Sequence, residues 1–198
     1  MDLRAGNLET IKRYLELDPA LYEETVDDEV QWKGCIFSAD VLKVKLPDGS
    51  FATREIAWHH GGCGVAAFHE GKLCLVRQYR VALGRMTLEI PAGKLEMGEE
   101  PVVCAARELT EETGLVADEL VPLAVSAGSI GFTNEATRVF LARGLHQSEA
   151  HPDEGEFVGV VWLPLEDILA GVRAGLIQDS KTIIAAQALA LGLALGER

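Results

Sequence analysis

The segment from Gly93 to Leu115 constrains this chain more than any other. Pro101 suits the first position of a helix, because its missing N–H is not needed there and its φ is already helical. Glu99 and Glu100 suit the positive end of the helix dipole. Gly114 supplies a left-handed residue that ends the helix. A helix over 101–113 is therefore predicted, with Val102, Ala105, Ala106, Leu109 and Thr113 as its core-facing stripe. Glu108, Glu111 and Glu112 then stand at i, i+3 and i+4, within one turn.

Like charges at this spacing destabilise a helix. Solubility alone is a poor reason to place three of them together, and a divalent cation resolves the conflict. Carboxylate oxygens suit Mg²⁺ or Mn²⁺, which keep several waters and bridge to phosphates. The plainer reading is a solvated acidic face with Arg107 paired to Glu111 at i+4.

Composition limits the partners. Lys and Arg number 18 against 31 Asp and Glu, for a net charge of −13 among 198 residues. Such a chain repels nucleic-acid backbones and anionic lipid, so neither nucleic acid nor membrane is an expected partner. No segment with basic residues reads as a helix-turn-helix. Cys35, Cys63, Cys74 and Cys104 contain no C-x-x-C pair, which disfavours a zinc site. Cys63 and Cys74 read as buried thiols on strands, and Cys104 as a helix residue without a catalytic role. Met1–Arg4 begins no apolar leader, and no run of about 18 apolar residues occurs. A cytoplasmic protein is expected.

Elsewhere, Leu8–Leu17 reads as helical. Val41–Leu46 alternates as a half-buried strand, Pro47–Ser50 turns, and Phe51–Trp58 returns as a hairpin. Val65–Phe68 and Leu73–Arg80 flank a second turn. Strands follow at Val121–Ser126, Thr137–Ala142 and Phe157–Leu163, then helices at Leu165–Ala174 and Lys181–Leu195. This order implies an α+β or α/β/α sandwich with a mixed sheet.

The segment also fits Gly-x5-Glu-x7-Arg-Glu-U-x-Glu-Glu-x-Gly-U, where U is apolar, at every position: Gly93, Glu99, Arg107, Glu108, Leu109, Glu111, Glu112, Gly114 and Leu115. This resembles the Nudix hydrolase signature. The resemblance implies a loop–helix–loop that holds divalent metal, and hydrolysis of a nucleoside diphosphate linked to another group. By position it makes Glu108 and Glu112 principal metal ligands, with Glu111 in support and the main-chain carbonyl of Ala92 in the shell. It makes Arg107 a clamp on the glutamates, gives Gly93 the tight loop and Gly114 the helix stop, and leaves Glu99 a structural or outer-sphere role.

Residues outside the box resemble the ADP-ribose pyrophosphatase branch over roughly residues 30–185: Leu46–Gly49, Arg54-Glu55, Arg77–Arg80, Leu88–Gly93 and Ser126–Glu135. The branch usually has a proline where Ala127 stands. The resemblance implies Mg²⁺-dependent cleavage of ADP-ribose to AMP and ribose 5-phosphate, with Mn²⁺ as a substitute. GDP-mannose or another nucleoside-diphosphate sugar is the alternative substrate, and a non-catalytic ADP-ribose-binding module the alternative class. Arg77 is either a phosphate grip or a strand-edge arginine. Arg54 and Glu55 either meet the adenosine end or face solvent. Trp32 stacks on a base or anchors an interface, and Phe132 and Glu135 belong to the substrate-binding set. The general base falls on Glu154 or Glu156, with Glu111 as rival. The resemblance further implies that residues 1–58 form an N-terminal helix and hairpin arm and 59–198 the Nudix domain, with the arm exchanged in a homodimer.

Overall fold

The computed structural model describes residues 6–150 and 157–196. The chain divides into two units, Met1–Trp58 and His59–Arg198.

The first unit begins with a short helix, α1 (Leu8–Tyr14), which Asn7 caps by accepting from the N–H groups of Glu9 and Thr10. A three-stranded sheet follows, in the order β1 (Glu24–Lys33), β2 (Phe37–Lys45), β3 (Phe51–His59). The expected hairpin is β2 and β3, and β1 widens it. Because β1 is exposed at all ten positions, it needs no apolar alternation and left no sequence signal. Its pairing is instead complementary in charge, with Glu24 opposite Lys45 and Asp27 opposite Lys43.

The second unit is built on a mixed seven-stranded sheet. Its strands are β4 (Gly62–His69), β5 (Lys72–Arg80), β6 (Arg85–Glu89), β7 (Ala92–Lys94), β8 (Leu115–Ala127), β9 (Ala136–Gln147) and β10 (Gly159–Pro164). The path runs β10-β5-β4-β9-β8, with β6 added to β5 and β7 to β4. β4 and β9 are parallel, whereas β10 with β5, β4 with β5, β4 with β7, β5 with β6 and β8 with β9 are antiparallel. Three helices complete the unit: α2 (Pro101–Thr113), α3 (Leu165–Arg173) and α4 (Ser180–Ala194).

Strand parity sorts the core into two layers. Leu73 and Leu75 of β5 pack with Ile168 of α3 and with Ala185 and Leu189 of α4. Cys74, of opposite parity, packs with Cys104, Ala105 and Leu109 of α2. The sheet thus lies between α2 on one face and α3 with α4 on the other. This is an α/β/α sandwich.

The α2 helix has the expected limits, but its buried stripe is shifted. Cys104, Ala105, Glu108, Leu109, Glu112 and Thr113 are buried. Val102, at 46% exposure, and Ala106 face outward. The burial of Glu108 and Glu112 explains the shift: the helix turns two of its acids toward the sheet and its apolar Val102 away. Its end has the expected chemistry, with Gly114 at φ +67° and its N–H donating to Thr110 O at 2.8 Å.

Candidate active site

Three pieces of chain build the site: the end of β6 leading into β7, the start of the box, and the inner face of α2. Glu108 and Glu112 come from consecutive turns of α2, and both are buried. Glu112 Oε2 accepts the main-chain N–H of Ala92 at 2.8 Å. Glu108 fills the space in front of Gly93, where a Cβ would stand 2.0 Å from its Oε1. The glycine is therefore required by the carboxylate across from it rather than by an unusual backbone angle.

Arg107 ties the acids together. Its Nε and Nη2 donate to the Glu99 carboxylate at 3.0 and 3.1 Å, and its Nη1 donates to Glu108 at 2.7 Å and Glu111 at 2.9 Å. Glu99, foremost, and then Glu108 and Glu111 hold the guanidinium protonated against the opposing effect of burial. In return Arg107 holds Glu99 below the usual carboxylate range, helped by the Glu96 N–H.

Among the described residues, no three His, Cys, Asp or Glu side chains converge as a ready metal cluster. Arg107 stands on two of the acids and Ala92 on the third. A divalent cation still fits this donor set. Mg²⁺ is commonly held by one or two carboxylates, the rest of its shell being water and substrate phosphate. Two buried carboxylates one turn apart, beside a glycine without a side chain, provide that kind of hard-oxygen site. The thiol of Cys74, pushed up to about 12 by burial and the nearby charge of Glu112, stays protonated and offers no soft ligand.

The remaining expected residues are placed more widely. Arg77 is exposed and shares the strand parity of Leu73 and Leu75, the face covered by α3 and α4. Arg80 has the parity of Cys74, the α2 face, and lies within the electrostatic reach of Glu112. Sequence reasoning quoted Arg80 without giving it a role, and counting parity along β5 was the signal that distinguishes the two. Glu89 was likewise quoted only as part of the run into the box. It is buried at the end of β6 and receives Arg80 through two hydrogen bonds of 2.8 and 2.9 Å.

Phe132 is 56% exposed and Glu135 is exposed, both on the loop between β8 and β9. Arg54, Glu55 and Trp32 belong to the first unit. Arg54 pairs with Glu23 at 2.5 Å, and its neighbour Glu55 points to the opposite face of β3. Trp32 stacks near Phe37 with ring centroids 4.8 Å apart. Glu154 and Glu156 lie outside the described residues.

With fold and site in view, the comparisons agree. The NUDIX domain model matches residues 58–187. The chain belongs to the NUDIX family, and it is a hydrolase of that family. It is 42% identical to the ADP-ribose pyrophosphatase of Bacillus subtilis over 179 residues, which cover 89% of this chain and 97% of that one. It is also 42% identical to the methanol dehydrogenase activator of Bacillus methanolicus over 176 residues, 87% and 95% of the two chains. A crystal structure of an ADP compounds hydrolase superposes with a TM-score of 0.78 at 19% identity, covering 89% of this chain and 97% of that one, and so shares its fold.

Proposed function

We propose that the chain hydrolyses the diphosphate bond of ADP-ribose, releasing AMP and ribose 5-phosphate, with Mg²⁺ as its cofactor and Mn²⁺ as a substitute. The observation that carries this reading is the pair of buried carboxylates, Glu108 and Glu112, set against Gly93 and Ala92 at the mouth of the box. The named substrate draws its support from the 42% identity to a pyrophosphatase over nearly the whole of both chains.

Glu108 and Glu112 hold the cation, with the Ala92 carbonyl completing the protein's share and Glu111 in support. When bound, the cation neutralises the diphosphate and makes water a better nucleophile. Arg107 orients Glu108 and Glu111 through its hydrogen bonds to both. Arg80, fixed by Glu89, presents its guanidinium to a substrate phosphate, a role to which Arg77 is less suited by its face of β5. The water's proton passes to a base that we assign to Glu154 or Glu156, in the sequence after β9, with Glu111 as rival. One water is consumed: its oxygen joins one phosphorus, and the bridging oxygen leaves on the other.

We assign residues 1–58 to a dimerisation arm. In its own unit the arm leaves Leu21, Val30 and Trp32 at 78%, 61% and 50% exposure, more apolar surface than a stable monomer needs. In the exchanged dimer, Arg54, Glu55 and Trp32 meet the adenosine end of a partner's substrate, while Phe132 and Glu135 approach the terminal ribose. The free state of all four cysteines suits a cytoplasmic location.

A substrate panel with Mg²⁺ tests the reading. AMP and ribose 5-phosphate should appear from ADP-ribose at a kcat/KM well above that for GDP-mannose. Cleavage of GDP-mannose without cleavage of ADP-ribose overturns the substrate assignment, and cleavage of neither overturns the reaction.

A further inference from the structure

Next to the box lies a buried polar chain in which only Arg80 has been given a task. Its centre is Glu89, 4% exposed. Oε1 of Glu89 accepts from Arg80 Nε at 2.8 Å and Thr87 Oγ1 at 2.7 Å, and Oε2 accepts from Arg80 Nη2 at 2.9 Å and Lys181 Nζ at 2.6 Å. A carboxylate has about four lone-pair sites, so Glu89 is saturated and has none left for a cation or a reacting water. Lys181 Nζ also donates to Asp179 Oδ1 at 2.8 Å. The other oxygen of Asp179 caps α4, accepting from the Thr182 N–H at 3.0 Å and its hydroxyl at 2.5 Å. The Thr182 hydroxyl oxygen in turn accepts the Ile90 N–H at 2.8 Å.

Charges alternate along the chain: Arg80, Glu89, Lys181, Asp179. Buried ion pairs are poor stabilisers in general, because desolvation offsets most of their attraction. Glu89, Lys181 and Asp179, with side chains at 6%, 14% and 18% exposure, stand together with the more exposed Arg80 and need another reason to be there. The residues that they hold supply it. Glu89 and Ile90 are tied to α4, 92 residues further along the chain. Pro91 O accepts from Val65 N at 2.9 Å, and its ring fixes φ. Ala92 N–H then reaches Glu112. Four consecutive residues each have a tertiary anchor, so the segment that enters the box has no slack.

We propose that Lys181, at the start of α4, is a positioning residue for the metal site. By holding Glu89 it fixes both the Arg80 guanidinium and the strand that delivers Ala92 to Glu112. The inference rests on the reading that Glu108 and Glu112 hold the divalent ion. Groups that hold a metal ligand directly commonly change its affinity or the activity by about 10–100-fold when removed, and Lys181 acts one link further out, through Glu89 and the strand that carries Ala92.

The test compares Lys181→Met, Lys181→Arg and a control, Leu189→Ala, which opens the core on the same helix away from the polar chain. Three quantities are measured: the melting temperature without metal, Mn²⁺ affinity from the EPR signal of the unbound ion, and kcat and KM with Mg²⁺. Lys181→Met should weaken Mn²⁺ binding about tenfold and lower kcat about 10–100-fold, and Lys181→Arg should recover most of both. Leu189→Ala should melt earlier yet bind Mn²⁺ like the wild type. Wild-type Mn²⁺ affinity and kcat in Lys181→Met overturn the proposal and leave a purely structural network. Should Lys181→Met not fold, Lys181→Gln carries the same test, since glutamine keeps N–H donors at that position but not the positive charge that holds Glu89. Mn²⁺ binding that Glu112→Gln leaves unchanged overturns the metal reading itself, and this proposal with it.

Discussion

The main-chain N–H of Ala92 donates to the Glu112 carboxylate across 2.8 Å, joining the strand that enters the box to the helix that supplies its acids. A glutamine at 112 keeps an acceptor for that N–H and removes only the charge. Glu112→Gln should therefore fold and melt within a few degrees of the wild type while turnover falls by about 100-fold or more, beyond the usual effect of an outer-shell change. Full activity in this variant would remove Glu112 from the cation's shell.

Gly93 offers a steric test of the same place. A methyl group there would stand 2.0 Å from Glu108 Oε1, so the carboxylate must move. A displacement of about 1 Å in a catalytic group costs on the order of 100-fold. Gly93→Ala should lose about that much in kcat, with Mg²⁺ needed at higher concentration, and circular dichroism should show an unchanged fold.

The buried Glu89 predicts a pH dependence of stability. Burial pushes its carboxyl up, but Arg80, Lys181 and Thr87 outweigh burial and hold it well below the usual range. A depressed folded-state pKa stabilises fully above the unfolded value, about 4.3, and that contribution fades as pH falls further. Glu89→Gln takes the carboxylate partner from Arg80 and leaves Lys181 with Asp179 alone at neutral pH, at a cost of about 3 kcal/mol, the low end for a buried pair because Arg80 is 42% exposed and Lys181 keeps one partner. The gap in melting temperature between variant and wild type should narrow below about pH 4.3. A gap constant from pH 7 to pH 3 would show that Glu89 is not held ionised.

Removal of divalent metal by EDTA should abolish turnover, and excess Mg²⁺ or Mn²⁺ should restore it. The same ions should raise the melting temperature, because a ligand that binds only the native state stabilises it by mass action, about 2.7 kcal/mol at 100 times Kd. Turnover that persists in EDTA contradicts the metal-dependent reaction.

The arm predicts an oligomeric state. Sedimentation equilibrium at micromolar protein should give twice 21.4 kDa. Deletion of residues 1–58 should give a monomer with a KM for ADP-ribose raised at least about tenfold, since the adenosine contacts are worth a few kcal/mol. A monomeric mass for the full chain rules out arm exchange.

Much of this was legible in the residues themselves. Pro101, the spacing of Glu108, Glu111 and Glu112, and Gly114 define α2, because helix starts, stops and i+4 neighbours are local properties of a 3.6-residue period. The alternation of Val41–Leu46, and the turn between Val65–Phe68 and Leu73–Arg80, show strands for a similar local reason. β1 was not legible, since a strand exposed on both faces has no apolar period, and neither were the short β6 and β7, whose existence depends on partners in β5 and β4. The stripe of α2 also needed the third dimension. Apolarity favours Val102 and Ala106, but the helix buries Glu108 and Glu112, because the sheet and the glycine at 93 leave room for carboxylates there.

The sequence by itself determined the set of acids and the helix that spaces them. Parity along β5 separates Arg80 from Arg77, but only the tertiary structure decided which parity faces α2, and that Lys181 closes on Glu89 from 92 residues away. The physical reason is range. Spacing along one helix turn follows from bond geometry, whereas a salt bridge between distant segments exists only once the packing of a whole sheet has brought them together.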